Sequence, residues 1–342
     1  MGVRVLSLRE LNRATLARQL LLNRADLSAI QVIEHLVGMQ AQWPQAPYVG
    51  IWTRTKSFRR DDLERELVSG AVVKANLTRM TLHLVSRRDY GLMRAMLSES
   101  GHADQWSGAK LVAESVRALA ADGPLTNAKA LAHIEREHGL KGADARYAWR
   151  GGRMRSHILH HPETALWNAR PEGRFAAIDE PEPHDPVEAR AGILRRYLTA
   201  FGPATRPDID AWSMLRMPQI KPALERIERL RRYRDERGRE LLDVEDGLLP
   251  NADVPAPVRF LPKWDNVLLA WADRTRVLPE PYRKMVIRQN GDVAQTFLVD
   301  GFVAGTWRVD KGRVVTESFS VLGASAQREV ETEAERLEAF LA

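Results

Sequence analysis

The chain has 342 residues, 44% hydrophobic and 28% charged, with a net charge of +6 and no cysteine. Such a composition belongs to an ordinary globular protein long enough for two or three compact units. It excludes disulfides and thiolate zinc sites, fits a cytoplasmic location, and holds no apolar run long enough to cross a bilayer, so no membrane partner is expected. The charge is uneven: residues 326–342 carry two arginines and five glutamates, a net of −3, which leaves +9 on residues 1–325. That excess suits a polyanion, most simply nucleic acid, or else a solvated basic surface.

Ser7-Leu8-Arg9-Glu10 has the form of a capping box and opens a first helix, with Leu8, Leu11, Leu16 and Leu20 as its apolar face. Ser28-Ala29-Ile30-Gln31 opens a second, in which Ile30, Ile33, Leu36 and Val37 recur at helical spacing. This helix gives out at Gly38-Met39-Gln40-Ala41-Gln42-Trp43-Pro44. Pro44 pushes Trp43 towards extended backbone, and in an extended segment residues two apart share a face, so Gln40 and Gln42 are expected to line one site. Two carboxamides can hold and polarise a water without titrating, which suits cleavage of an already weak bond. A Gln-x-Gln pair also arises by chance, and by itself assigns no reaction.

Asp61 or Asp62 begins a third helix with Leu63 and Leu67 inward and Gly70 at its end. The period then becomes two: Met80, Leu82 and Leu84 alternate with Arg79, Thr81 and His83, which predicts a strand with one apolar and one polar face. Arg79 and His83 share that polar face, either as residues near the glutamine site or as fold-stabilising contacts. Helices followed by strands in this order suggest a winged helix. The plan recurs. Asp122-Gly123-Pro124-Leu125-Thr126 precedes a helix over 128–137, and Phe201-Gly202-Pro203-Ala204-Thr205 precedes one over 208–215, each threonine being placed to cap. Strand-turn-strand candidates follow, at 166–178 around Glu172-Gly173 and at 233–244 around Arg237-Gly238. The chain therefore reads as α+β, with tandem winged-helix (helix-turn-helix) units at 1–90, 91–185 and 186–250.

Residues 251–342 form a β-rich region. Asn290-Gly291, Asp300-Gly301 and Asp310-Lys311-Gly312 punctuate the alternating runs 293–299 and 302–309, which predicts a β-meander or partial barrel. A terminal helix from about Gln327 to Leu341 packs on it through Val330, Leu337 and Phe340. Three further groups bear on function. Arg146, Arg150, Arg153 and Arg155, with Trp149 and Gly151-Gly152, either track phosphates or form a solvated helix face. His157, His160 and His161 lack the cysteines or His-Glu-x-x-His spacing of a metal site, so no metal is expected, and the absence of a Gly-rich phosphate loop argues against a nucleotide cofactor. Asp265, in a Pro/Trp turn, anchors a loop or serves as an acid.

Leu11–Leu22, Gly38–Tyr48, Arg79–Leu84, Phe260–Asp265 and Val299–Trp307, in that order along nearly the whole chain, resemble the bacterial winged-helix DNA glycosylases of the AlkZ/YcaQ type. The resemblance implies tandem winged helices around a basic channel, a carboxyl-terminal β element, no cofactor, and removal of alkylated purines or unhooking of interstrand crosslinks in double-stranded DNA. Gln40 and Gln42 match the catalytic Gln-apolar-Gln form, with Ala41 a small middle residue. That form is the AlkZ branch, associated with self-resistance to DNA-alkylating natural products, whereas the YcaQ branch has Asp at the second position. Trp43, Arg79, His83 and Asp265 fall near the implied site. Arg150, Arg153, Arg155, Arg283, Lys284 and Arg288 are the implied DNA contacts, the last three flanking an Asn290-Gly291 hairpin that matches one the family inserts towards DNA. Alkylation at N7 of guanine or N3 of adenine makes the base cationic, so it leaves readily and needs little acid catalysis. A monomer is expected. The competing class is a non-catalytic winged-helix regulator or a protein that sequesters a DNA-reactive compound, and base release separates the two.

Overall fold

Ser7 accepts the Glu10 amide while the Glu10 carboxylate takes the Ser7 amide, so the first helix, α1 (Leu8–Arg18), begins on the reciprocal box its sequence predicts. The structure, a computed structural model, describes residues 2–98, 106–169, 173–179 and 181–342. The expected apolar stripe of α1 needs correction. Leu11 and Leu16 are buried, but so are Asn12, Arg13, Thr15 and Arg18, while Leu8 is exposed and Leu20 lies past the helix end. Later parts of the chain enclose the helix and supply polar partners. Asn12 donates to the carbonyls of Arg276 and Gly301, and Arg18 grips Asp243 with two bonds of 2.7 and 2.8 Å. Pairing of this kind lets a polar face sit inside, although the Thr15 hydroxyl is enclosed without a partner.

Before α1 lies β1 (Val5–Leu6), and after it α2 (Ala29–His35), whose own box on Ser28 forms as expected. Val37 and Gly38 at φ of 54° and 94° then turn the chain into β2 (Met39–Gln40). Gly38 is required there: a Cβ would stand 2.9 Å from Val85 Cγ1, on a backbone that L-residues seldom adopt. Next come α3 (Ala46–Trp52) and the helix expected at Asp61 or Asp62, α4 (Arg60–Val68), where the Asp62 carboxylate caps the Arg59 amide. β3 (Val72–Asn76), β4 (Leu82–Ser86) and α5 (Arg87–Leu97) follow. The strand expected to run through Arg79 starts later, at Leu82. Thr78–Met80 is a tight 3-10 turn with Arg79 and Met80 both left-handed, at φ of 53° and 54°. Its polar side is only partly solvated, since His83 is buried while Arg79 and Thr81 are half-buried.

The second stretch holds α6 (Ala109–Ala121), β5 (Leu125–Thr126), α7 (Asn127–His138), α8 (Gly142–Arg155), β6 (Ile158–His160) and β7 (Arg174–Ala177). Thr126 caps α7 as predicted. The hairpin expected at 166–178 is corrected: β7 pairs with β6, because 162–164 forms a 3-10 turn and Trp167 packs on Tyr48. Glu172 of the expected turn lies outside the described residues. The third stretch is α9 (Pro186–Phe201), α10 (Arg206–Ser213), α11 (Met217–Glu225), β8 (Arg231–Asp235) and β9 (Glu240–Asp243). Thr205 caps α10, and the hairpin about Arg237-Gly238 forms. In both stretches the segment before the capped helix bonds to the last hairpin strand, Leu125–Thr126 to β7 and Ala204 to Leu242.

The last region contains β10 (Arg259–Leu261), α12 (Arg283–Val286), β11 (Thr296–Val299), β12 (Phe302–Asp310), β13 (Arg313–Ser318) and α13 (Ala324–Leu341). Strands β10 to β13 form an antiparallel meander in sequence order. Left-handed Asp300-Gly301 and Lys311-Gly312 make its turns, as the sequence requires. Val330 and Leu337 of α13 pack on Phe260, Phe297 and Trp307, while Phe340 stacks on Trp52 at 5.7 Å and ties the region to α3. The remaining sheets run β2-β4-β3-β6-β7-β5 and β1-β8-β9, the first joined across its middle by the single pair Lys74 and His160. The largest core gathers round α9, whose Tyr197 and Phe201 meet Trp212 and Trp271. No helix among the described residues is long and apolar enough to cross a membrane.

Candidate active site

Strand β2 pairs antiparallel with β4 so that Gln40 stands opposite His83, with Ala75 of β3 beyond it on the same row. Gln40 is 5% exposed and His83 3%. Arg79 joins them from the left-handed turn. One guanidinium nitrogen, Nη2, reaches Gln40 Oε1 at 3.4 Å and His83 Nε2 at 3.2 Å, and Nη1 reaches the Trp212 carbonyl on α10 at 3.2 Å. Arginine can only donate, so His83 Nε2 accepts. The ring proton sits on Nδ1, which donates to the Thr81 carbonyl at 3.0 Å. Thr78 Oγ1 lies 3.3 Å from the same Nε2.

Burial and then the Arg79 charge pull the His83 pKa down to about 3, so the imidazole is neutral at working pH. Burial, followed by the charge of Arg274, lowers Arg79 to about 10, which still leaves it protonated. Two consecutive left-handed residues with Cβ atoms are strained. The turn is held by bonds from Leu77 N to the Thr81 carbonyl and from Asn76 Nδ2 and Arg150 Nη2 to that of Met80, at 3.1, 3.3 and 3.4 Å. Arg79 is thus aimed by backbone that the surroundings hold in place.

A consequence for stability follows from His83. Its folded pKa lies below the ordinary 6.5, so the unfolded chain takes up a proton between about pH 6.5 and 3 that the native chain does not, and stability is lost as pH falls through that window. At pH 5 the loss is about 2 kcal/mol. Urea unfolding at pH 7.5 and pH 5 measures it, with His83→Asn expected to show a smaller drop than wild type. An equal drop in both would place His83 in contact with water.

Gln42 is exposed, and its Oε1 accepts the Leu82 amide at 2.9 Å. This carries on, through a side chain, the ladder that Ala41 N continues to the Leu82 carbonyl at 2.7 Å. The Gln40 oxygen is therefore held by Arg79 of the turn and the Gln42 oxygen by the start of β4, each through one lone pair. The second lone pair of each oxygen is left, and among the described residues neither NH2 group has a protein acceptor. Trp43 is half-buried beside them.

The other sequence candidates divide. Asp265 is held by Arg54 in a buried bidentate pair of 2.8 and 2.8 Å and caps Val267, so it is committed to the fold. Its neighbour Asn266 donates to the Gly38 carbonyl at 2.8 Å and steadies the approach to Gln40. Arg150, exposed on α8, reaches the Met80 carbonyl and covers the Trp106 ring at 4.6 Å, placing it on the rim. Arg153 points elsewhere: it bonds Asn76 and His160, lies over Phe175, and burial lowers it to about 10. Arg155 is half-buried and Arg146 exposed. Of the histidines, His157 faces the Tyr90 hydroxyl at 3.0 Å and His161 faces Glu163. Arg283, Lys284 and Arg288 are all exposed around a tight hairpin closed by the Ile287–Val293 bridge and fixed by Trp264 Nε1 to the Gly291 carbonyl at 2.9 Å. Sequence reasoning missed Thr78, Arg54 and Arg274. None of them lies in a motif, and their roles arise from contacts distant in sequence.

Residues 33–340 match the family profile described as DNA glycosylase AlkZ-like. An "Interstrand DNA cross-link repair glycosylase" of Streptomyces sahachiroi is 26% identical over 336 residues, covering 87% of each chain. The solved Streptomyces sahachiroi DNA glycosylase AlkZ shares the fold, with a TM-score of 0.83 at 21% identity over 98% of this chain and 97% of that one. With its match to that profile extending over nearly its whole length, the chain belongs to the AlkZ-like DNA glycosylases.

Proposed function

We propose that the protein hydrolyses the N-glycosidic bond of cationic purines, N7-alkylguanine and N3-alkyladenine, in double-stranded DNA, and unhooks interstrand crosslinks built from them. The observation that carries this reading is the cluster of Gln40, Arg79 and His83. It offers an amide fixed by a cation, with no group of the three titrating between about pH 6 and 9. In the reaction the bond from C1′ to N9 breaks, its electron pair neutralises the base, a water oxygen bonds to C1′, and the water proton passes to solvent. Gln40 and Gln42 orient that water with the lone pairs and NH2 groups left to them, and no general acid is required. Strong base activation is not needed because the leaving group departs before much nucleophilic push is called for.

The tandem units act as winged helices, with Arg150, Arg155, Arg283, Lys284 and Arg288 along a basic channel, while Arg153 braces the sheet beneath it. An open channel suits bulky or crosslinked bases that a tight flipping pocket would refuse. The protein works as a cytoplasmic monomer, and its two-glutamine form suits self-resistance to a DNA-alkylating natural product. Single-turnover release of N7-methylguanine from duplex DNA tests the reading. The rate is expected to vary little between about pH 6 and 9, since His83 stays neutral and Arg79 charged across it. A limb with an apparent pKa in that range would replace the amides by a titrating base. No release from alkylated or crosslinked duplexes would leave a DNA-binding or sequestering role.

A further inference from the structure

The site carries more positive charge than its own chain neutralises. Arg274 is half-buried, its Nε–H is enclosed without an acceptor, and among the described residues its guanidinium makes no hydrogen bond or ion pair. The acid beside it in sequence, Asp273, and the acid that α10 bonds to its loop, Asp208, are engaged elsewhere. Asp273 caps Thr275, with Oγ1 at 2.6 Å, and takes Arg239 at 2.7 Å and Arg237 at 3.2 Å. Asp208 Oδ1 accepts the Ala272 amide at 3.0 Å, while its other oxygen takes the Thr205 amide and hydroxyl. These bonds fix the loop that presents Arg274, and they fix it to α10. The same helix receives Arg79 at its far end through the Trp212 carbonyl.

Arg274 therefore stands on the frame that holds Arg79, with Arg283 of α12 as its other charged neighbour. Arg283 meets Glu280 at 3.8 Å, both largely exposed. Each of the inner guanidiniums is depressed first by burial and then by the next one along, Arg79 by Arg274 and Arg274 by Arg283. An uncompensated row of cations is a poor neighbour for a reaction that develops positive charge on a sugar. An anion placed between them removes that penalty, and the substrate brings one at every nucleotide.

We propose that Arg274, with Arg79 and Arg283, binds one backbone phosphodiester flanking the lesion nucleotide, and so sets its C1′ against Gln40. Arg274 is a positioning residue in this scheme, and the inference rests on reading the cluster as a glycosylase site. A half-buried cation held without partners costs stability, which a phosphate repays on binding.

The test combines protein and DNA changes. Arg274→Met and Arg274→Lys are measured on duplexes in which a neutral methylphosphonate replaces, one at a time, each phosphate on either side of the lesion. Wild type is expected to lose roughly tenfold in affinity and in single-turnover rate at one position. Arg274→Met should show that loss on the natural duplex and no further loss at that position, and Arg274→Lys should recover part. The affinity arm uses a tetrahydrofuran abasic duplex, which has no base to release, so it reports the phosphate contact even if wild type proves inactive on every lesion. Urea unfolding should find Arg274→Met at least as stable as wild type. A loss in Arg274→Met that stays the same on every methylphosphonate duplex overturns the proposal. A clear fall in stability does so too, by making Arg274 a packing residue.

Discussion

Gln40→Ala is expected to slow single-turnover base release roughly a hundredfold, about 3 kcal/mol, with duplex affinity nearly unchanged. Gln40 is buried on the row it shares with His83, and its oxygen is already held by Arg79, so the amide cannot rotate freely. Alanine removes both the lone pair and the NH2 group that a water at C1′ would meet. The side chain is uncharged, so its loss leaves the electrostatic part of DNA binding in place.

Gln42→Ala should produce a loss of the same order, with a second contribution. It also frees the Leu82 amide that Gln42 Oε1 now occupies, at the edge where β4 begins. Gln42→Asp retains an acceptor oxygen and should keep part of the rate, though its shorter chain draws the oxygen back from either the amide or the water. Base release and equilibrium binding on one N7-methylguanine duplex separate these effects. Unchanged release in both alanine variants would remove the pair from the mechanism. A parallel loss of binding would make them DNA contacts instead.

The local devices of this chain were legible in its residues because short-range chemistry determines them. The Ser7, Ser28, Thr126 and Thr205 caps, the Asp300-Gly301 and Lys311-Gly312 turns and the Arg237-Gly238 hairpin all form where the side chains demand. The glutamine pair falls, as its extended spacing suggested, just beyond a helix. Period alone failed where the polar side of an element is buried. The alternation around Arg79 concealed a left-handed turn, since alternation reports facing and carries no signal for φ. On α1 the arginines look like a solvated face until Asp243 and Asp300 arrive from more than two hundred residues away. The arginines of α8 show the same limit: Arg150 and Arg153 are three apart on one helix, yet one reaches the rim of the site and the other a half-buried histidine. Pairings of this kind depend on which distant segments meet.

Asp265→Asn should lower the stability of the fold by about 3–5 kcal/mol while leaving the rate of the folded fraction within a few-fold of wild type. The carboxylate is 3% exposed and faces Arg54, itself fully enclosed, through two bonds of 2.8 Å. Arg54 spends two further donors on the carbonyls of Gln19 and Gly50, so it ties the end of α1, α3 and the 263–266 turn at one point. An asparagine satisfies one of those donors but leaves the guanidinium charge in the interior without a counter-charge, the costly way to break a buried pair. Replacing both members, as Arg54→Met with Asp265→Leu, removes the charge altogether and should restore most of the loss, because apolar groups of similar volume are well tolerated in place of a buried ion pair. Urea unfolding of wild type, Asp265→Asn and the double variant, with single-turnover rates at a temperature where each is folded, decides the role. A catalytic Asp265 would give the reverse pattern, in which the single variant is stable but inactive and the double variant remains inactive however well it folds.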